Sequence, residues 1–256
     1  MSIAIEVSDA DFLANRIGNR RIPDTTGLTH EYLFGGSYEE SKANLADPSA
    51  ADLVEIGAPI YGTGYMAIRS NGNELFPSYG AQTDFVAPDN FTIIMVVQRD
   101  LATSFGDWFY QNPDLTDLST IGPLAGLRSY RFNPGSGNTY NLINNNGNGG
   151  NSGLVEYPAS SVSSFVMIAM TAPLGERATT YLYDGGIRFS ARSDFFGITR
   201  SDNPWIIGAR SSSSPGSGDG KVAYLACLDR LFTAEELDAA NASLKAFMAT
   251  RSIPVS

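Results

Sequence analysis

The sequence predicts an all-β fold in which two antiparallel sheets pack face to face as a jelly roll, followed by one C-terminal helix. Short apolar runs rich in β-branched and aromatic residues recur along the chain between clusters of Gly, Pro and Asn. The 26 glycines and a charged content of only 17% suit many strands joined by turns. Near the end, apolar residues recur at helical spacing instead. A chain of 256 residues can form one such domain.

Residues 1–28 are interpreted as an N-terminal arm, attached to the domain or to another subunit. Its alternating start predicts an edge strand, and Ser8 or Asp9 could cap a short helix. The polar stretch 15–26 concentrates arginines against an acidic average. The alternative is a first strand of the sandwich followed by a loop.

Residues 29–256 are predicted to form the main domain. The runs 91–98 and 165–171 are apolar on both faces, which predicts central strands covered by the opposite sheet. The tract 144–153 contains only Asn, Gly and Ser, so it is predicted to be a flexible loop. The other predicted strands are 31–34, 52–56, 65–69, 108–111, 128–132, 139–143, 179–184, 205–209 and 222–228.

The C-terminal helix has clear start signals. Thr233 is placed to cap it and Glu236 to close a capping box, while Phe232 and Leu237 occupy the positions of a hydrophobic staple. The residues at helical spacing are Leu237, Leu244, Phe247 and Met248. This pattern gives one apolar face that would dock on a sheet.

Two motifs together resemble a known family. Residues 205–237 contain a strand ending in Ile-Gly, a loop with Asp-Gly, a strand, Asp-Arg-Leu and Thr-Ala-Glu-Glu-Leu, and 179–186 read Thr-Thr-Tyr-Leu-Tyr-Asp-Gly-Gly. This order resembles the closing segment of concanavalin A-like lectin/glucanase domains of the laminin-G-like type, and it covers residues 165–248. The resemblance implies a lectin-like sandwich of the kind found in bacteriophage particles.

Charge and composition exclude some classes of partner. The net charge of −10 repels phosphate backbones, so nucleic acid is not an expected partner. The longest apolar run, 91–97, is too short to span a bilayer, so no membrane insertion is expected. The first six residues lack the features of a signal peptide, and one cysteine allows no internal disulfide. We therefore expect synthesis in a reducing cytoplasm.

Each candidate catalytic motif lies in a predicted structural context that does not suit catalysis. Glu236-Leu-Asp238-Ala-Ala-Asn241 approaches the Glu-x-Asp-x-x-Glu pattern of glucanases, but it lies on the predicted helix, where the side chains diverge. His30 is the one histidine and has no Gly-x-Ser-x-Gly partner, and Cys227 lies in a predicted internal strand. Gly62-x-Gly64-x-x-Ala67 precedes a strand rather than a helix, which excludes a dinucleotide site. The protein is predicted not to be an enzyme.

No cofactor or metal site is predicted. Asp184 and Asp219 each precede Gly, and loop carboxylates of laminin-G-like domains sometimes hold calcium, but no dense Asp-x-Asp run supplies six to eight oxygens. An Asp-Gly turn is the favoured interpretation.

The candidate ligand-binding residues combine aromatic rings with amide and carboxylate groups. They are Asp107, Trp108, Tyr110, Asn144, Asn146 and Asn148. Aromatic platforms beside such groups are typical of sugar sites. The alternative is that Trp108 and Tyr110 belong to the core.

The leading functional hypothesis is a non-enzymatic bacteriophage virion protein, in a head decoration or the tail. It would use the sandwich for assembly, attachment or glycan adhesion, with other virion proteins or further copies of itself as partners. The alternatives are a bacterial carbohydrate-binding module and, third, a polysaccharide-degrading enzyme. These functions come from fold analogy.

Overall fold

The computed structural model describes residues 21–69, 77–99, 105–111, 126–132, 139–145, 151–158, 164–192, 202–208 and 219–256. These ranges contain fifteen strands and two helices. The strands are β1 (Leu28–Leu33), β2 (Val54–Gly57), β3 (Ile60–Gly62), β4 (Tyr65–Ile68), β5 (Tyr79–Gln82), β6 (Phe91–Arg99), β7 (Phe105–Gln111), β8 (Gly126–Phe132), β9 (Thr139–Asn145), β10 (Asn151–Pro158), β11 (Val166–Ala172), β12 (Thr179–Asp184), β13 (Ile187–Arg192), β14 (Trp205–Gly208) and β15 (Gly220–Leu228). The helices are α1 (Tyr38–Ser41) and α2 (Ala234–Thr250).

The strands form two antiparallel sheets, as the sequence predicts. The first has the order β13-β12-β11-β6-β15-β4-β3, with β1 also paired to β15. The second has the order β10-β9-β8-β7-β14-β5-β2. With α2 at the C-terminal end, this is the predicted two-sheet antiparallel jelly-roll sandwich.

Side chains of the first sheet point alternately to its two faces, and each face contributes to a separate apolar core. Tyr32 of β1 and Val222 of β15 point into the core between the sheets. Leu228 points to the other face of the first sheet, where it packs with Leu244 and Met248 of α2. The central strand β6 contributes to both cores, since Ile93 and Ile94 are both fully buried. Its residues are therefore apolar on both faces.

The helix α2 begins with the predicted capping box. The Thr233 hydroxyl accepts a hydrogen bond from the Glu236 backbone N–H at 3.2 Å, and the Glu236 carboxylate accepts one from the Thr233 N–H at 2.7 Å. Phe232 and Leu237, the predicted staple, are buried in the same core. This start fixes the angle at which the chain leaves β15 and lays α2 on the first sheet.

The prediction of a loop over residues 144–153 was wrong at its two ends. β9 continues through Asn145 and β10 begins at Asn151, and Asn145 pairs with Asn151 while Asn144 pairs with Ser152. An antiparallel ladder is held by backbone hydrogen bonds, so a segment without apolar side chains can still pair. Residues 146–150 lie outside the described residues.

The end of the predicted arm that the structure describes packs on the domain. Ile22 is fully buried beneath α2. The Arg21 guanidinium donates to the Glu31 carboxylate at 2.8 Å, and the Tyr224 hydroxyl donates to the same carboxylate at 2.9 Å. Burial, followed by the Glu31 charge, raises the pKa of Tyr224 well above its ordinary value, so the phenol stays protonated. Residues 1–20, with the predicted edge strand and short helix, lie outside the described residues.

Candidate functional site

A seam runs along one edge of β15, where two shorter strands meet. β4 pairs with residues 220–222 and β1 with residues 224–228, and the register shifts between Val222 and Tyr224. This irregularity puts Ala223 and Tyr224 on the same face. The Phe34 N–H then donates to the Ala223 carbonyl at 3.1 Å, which carries the chain past the end of β4.

Glycines let the two chain segments touch at this seam. Gly35 has a φ of +130° and Gly64 a φ of +116°, and a Cβ built on Gly35 would lie 2.2 Å from the Gly64 Cα. A side chain at residue 35 would therefore displace backbone, which cannot yield as a flexible side chain can. The Gly36 N–H donates to the Gly62 carbonyl at 2.8 Å, which joins the β1–α1 turn to the β3–β4 hairpin.

The close backbone approach leaves an open cavity of about 440 Å³ between the turn, the hairpin and the end of α2. A cavity of this size is in the usual range for small-molecule sites. We call it the glycine cleft. Its lining residues are Gly35, Gly36, Glu40, Tyr61, Gly62, Thr63, Gly64 and Arg251.

Arg251, the C-cap residue that follows α2, supplies the positive charge of the glycine cleft. Its Nη2 donates to the Phe34 carbonyl at 2.9 Å, while its Nη1 is buried and has no hydrogen-bond partner. Burial lowers the pKa of this guanidinium, nearby Arg21 lowers it further, and Glu40 raises it. An unpaired buried N–H costs about 1–3 kcal/mol. Because Nη1 itself is shielded from solvent, Arg251 contributes its positive charge, rather than this donor, to the wall of the glycine cleft.

Glu40 supplies the opposite charge. The backbone N–H of Gly35 donates to Ser41 Oγ at 3.1 Å, which folds α1 back over the turn. The Glu40 carboxylate consequently lies against Gly36, with its Oε2 1.5 Å from the position that a Cβ on Gly36 would take. The salt bridges of the described residues do not include one between Glu40 and Arg251, although both line the cleft.

Tyr61 and Thr63 complete the polar and aromatic lining. Tyr61 is half-buried, and its pKa is raised by burial and by a hydrogen bond to Glu55, so its hydroxyl stays protonated. Thr63 is exposed at the tip of the hairpin, where its hydroxyl can both donate and accept. The cleft thus combines a cation, a carboxylate, a hydroxyl and a ring. This is the chemistry needed to hold a small polyhydroxylated molecule.

The structure describes the side chains of two of the sequence-predicted ligand residues, and both are buried. Trp108 and Tyr110 of β7 are only 3% and 1% exposed, which favours the core alternative for both rings. The Trp108 ring packs against Gly220, where a Cβ would approach it to 2.6 Å. Asp107 and Asn144 lie on strands whose backbone alone is described there, and Asn146 and Asn148 lie outside the described residues. For these four the prediction stays a prediction.

The remaining candidate residues have structural partners. Cys227 is fully buried, as expected for a core cysteine, and burial raises the pKa of its thiol. Asp184 leads into a turn in which Gly185 and Gly186 both have positive φ, and Asp219 pairs with Arg69 at 3.6 Å.

The two carboxylates of the glucanase-like motif also have partners: Glu236 closes the capping box, and Asp238 forms a salt bridge with Arg188 at 2.7 Å. Among the described residues, no group of three or more His, Cys, Asp or Glu side chains could hold a metal ion.

Sequence reasoning missed the glycine cleft. In the sequence, Gly62 and Gly64 suggest only a dinucleotide fingerprint, and the helix that this fingerprint needs does not follow them. The adjacent pair Gly35-Gly36 is the signal that could have found the site, because two glycines directly after a strand indicate a close backbone approach. Arg251 gives no local signal, since α2 brings it to the seam from more than 180 residues away along the chain.

Comparison with known proteins supports the fold. No protein-family model matches the chain, and no curated protein matches it in sequence. The chain is similar in structure to the Trypanosoma rangeli sialidase, with 12% identity and a TM-score of 0.56 over 89% of this chain and 34% of the sialidase. It is similar to the binding domain of botulinum neurotoxin serotype D, with 8% identity and a TM-score of 0.55 over 84% of this chain and 50% of the other. The chain thus spans about a third and a half of these two proteins.

A third similar structure is of comparable length. It is domain 4 of an extracellular arabinanase from Geobacillus stearothermophilus, solved in complex with arabinotriose. The identity is 12% and the TM-score 0.50, over 84% of this chain and 98% of that domain. At these identities the likenesses show the sandwich fold.

None of the helices in the described ranges is long and apolar enough to cross a membrane.

Proposed function

We propose that this protein is a non-catalytic carbohydrate-recognition module whose glycine cleft holds a sugar unit of a glycan. The observation that carries the proposal is that Arg251 and Glu40 both line one open cavity and form no salt bridge with each other. A sugar hydroxyl is both a donor and an acceptor, so one unit can donate to the carboxylate and accept from the guanidinium. Tyr61 would pack on the apolar face of the ring.

The similarity to domain 4 of the arabinanase supports this proposal at the level of the fold. That domain was solved in complex with arabinotriose, and this chain covers 98% of it. The sandwich is therefore a scaffold on which sugar binding occurs. The glycan bound here, and the residues that bind it, are argued from the cleft alone.

The proposal is tested by screening the purified protein on a glycan array and titrating the hit by calorimetry. Glu40→Gln keeps the shape of the side chain and removes its charge, so affinity should fall about tenfold to a hundredfold, the usual worth of a hydrogen bond to a charged group. Glu39→Gln is the matched control, since Glu39 is the exposed neighbour that pairs with Lys42 instead. Equal affinities for the two variants, or a blank array from folded protein, would overturn the proposal.

The absence of catalysis is part of the same proposal. The described carboxylates that sequence reasoning considered, Glu236 and Asp238, are engaged in the cap of α2 and in a pair with Arg188. Incubating the protein with a polysaccharide panel should release no reducing ends. Turnover that one carboxylate substitution abolishes would make the protein an enzyme.

We further propose that the module works on a bacteriophage virion, in the head decoration or tail, as a self-associating component. The support is the laminin-G-like resemblance over residues 165–248, which span β11 to α2 in the observed order. Co-purification with virions tests this location. A protein absent from purified particles would instead fit a bacterial carbohydrate-binding module.

A further inference from the structure

A second cavity, of about 210 Å³, lies on the outer face of the same β3–β4 hairpin. We call it the hairpin cavity. Its floor includes Ile60 and Ala67, which are directly opposite each other in the β3–β4 register. Its charged rim is formed by Arg69, Asp219 and Lys221.

The position of α2 explains why this surface is open. The outer core beneath α2 is built from residues of β6, β11 and β15, such as Val96, Met167 and Ala226. β4 and β3 continue the first sheet beyond β15. Ile60 on β3 is 62% exposed, so its apolar side chain is accessible to a ligand. The hairpin thus presents apolar surface with charges at its border.

The Tyr65 ring lies between one residue that lines the glycine cleft and one that lines the hairpin cavity. It lies across Gly62, where a Cβ would be 2.3 Å from the ring Cζ, and Gly62 lines the glycine cleft. The Lys221 ammonium lies 4.7 Å from the centroid of the same ring, and Lys221 lines the hairpin cavity. Ile60 and Gly62 are two positions apart on β3, a rise of about 7 Å. One extended molecule could therefore occupy both cavities.

We propose that the two cavities are consecutive subsites for one oligosaccharide chain that runs along the β3–β4 hairpin. This inference rests on the proposed function of the glycine cleft, which would hold one sugar unit. The next unit would lie over Ile60 and Ala67, whose side chains would contact the apolar face of the sugar ring. Lys221 and Arg69 would donate to its hydroxyls, and Asp219 would accept from them. The preferred ligand is then an oligosaccharide rather than a monosaccharide.

The test is calorimetric titration with a monosaccharide, disaccharide and trisaccharide of the glycan selected on the array. Affinity should rise at least tenfold from the monosaccharide to the trisaccharide. Ile60→Ala should lower trisaccharide affinity roughly threefold to tenfold, because it removes apolar contact, and leave monosaccharide affinity unchanged. Val54→Ala is the matched control, since Val54 is also apolar, on an edge strand and 59% exposed.

The outcomes separate this inference from the proposed function. Equal affinities across the three lengths, or equal effects of Ile60→Ala and Val54→Ala, would overturn the second subsite. Monosaccharide binding that Glu40→Gln weakens would in that case leave the glycine cleft standing. If none of the three saccharides binds, both proposals fall. Thermal unfolding of each variant confirms that the fold is retained.

Discussion

His30, the chain's one histidine, joins β1 to the loop after β5. Its Nε2 is 2.9 Å from Asp84 Oδ1 and its Nδ1 is 2.9 Å from Thr29 Oγ1. The ring meets Phe85 edge to face, with 5.4 Å between centroids. Burial lowers the pKa of His30 below its ordinary 6.5, and the Asp84 carboxylate only partly offsets this. With its proton on Nε2, the neutral ring donates to the Asp84 carboxylate, while the Thr29 hydroxyl donates its one proton to the Cys227 carbonyl at 3.1 Å rather than to Nδ1.

A proton NMR titration of the imidazole should therefore give a pKa below 6.5, from a single set of ring signals. The unfolded state binds the proton more readily than the folded state, so stability should fall as pH drops from about 6.5 to the folded pKa. Asp84→Asn should lower the pKa further, because it removes the charge that raises it. A measured pKa at or above 6.5 would show that the Asp84 interaction outweighs burial.

Gly35 is expected to be intolerant of any side chain. Gly35→Ala would place a Cβ 2.2 Å from the Gly64 Cα and keep a φ of +130°, so we expect a loss of more than about 3 kcal/mol of unfolding free energy. Gly175→Ala is the matched control, because its φ is +66° and a Cβ there meets nothing within 4 Å. It should cost about 1 kcal/mol. Urea denaturation measures both, and similar losses would refute the close approach at the seam.

At the scale of elements, the capping box should stabilise α2 measurably. Thr233→Ala removes the acceptor for the Glu236 N–H, and we expect it to cost about 1 kcal/mol. Thr250→Ala is the control at the other end of the helix, where the exposed hydroxyl donates to the Phe247 carbonyl. It should change stability by less than about 0.5 kcal/mol. Thermal unfolding distinguishes the two, and equal shifts would mean that the cap contributes little.

The elements that could be predicted from the sequence are those whose apolar pattern or capping residues show which faces are buried and where the element begins. β6 and β11 are apolar on both faces, and α2 has a capping box and a periodic apolar face, so local pattern sufficed. β3 and β13 were missed, because neither contains a buried residue and both strands are held by backbone pairing. The same reason explains why Asn144 and Asn145 pair in β9 although no apolar residue marks them.

The candidate site could not be predicted in the same way, because it exists only at the scale of the whole molecule. Gly35, Gly62 and Arg251 come from three distant parts of the chain. They meet because β1 and β4 share one edge of β15, and because α2 returns over the first sheet to place Arg251 at their junction. Neither the composition nor any local motif indicates that these three residues lie close together. Trp108 and Tyr110, aromatic residues near turn signals, were instead placed in the core by the packing of the sheets.

Backbone amide NMR mapping with the glycan selected on the array shows whether that glycan binds in the glycine cleft. We expect chemical-shift changes concentrated at Gly36, Gly62, Thr63 and Gly64, with smaller changes along β3 and β4. Glu40→Gln should weaken them in parallel. Changes concentrated at residues 107–111 and 144–148 would show instead that glycan binds near the residues predicted from the sequence and not in the glycine cleft.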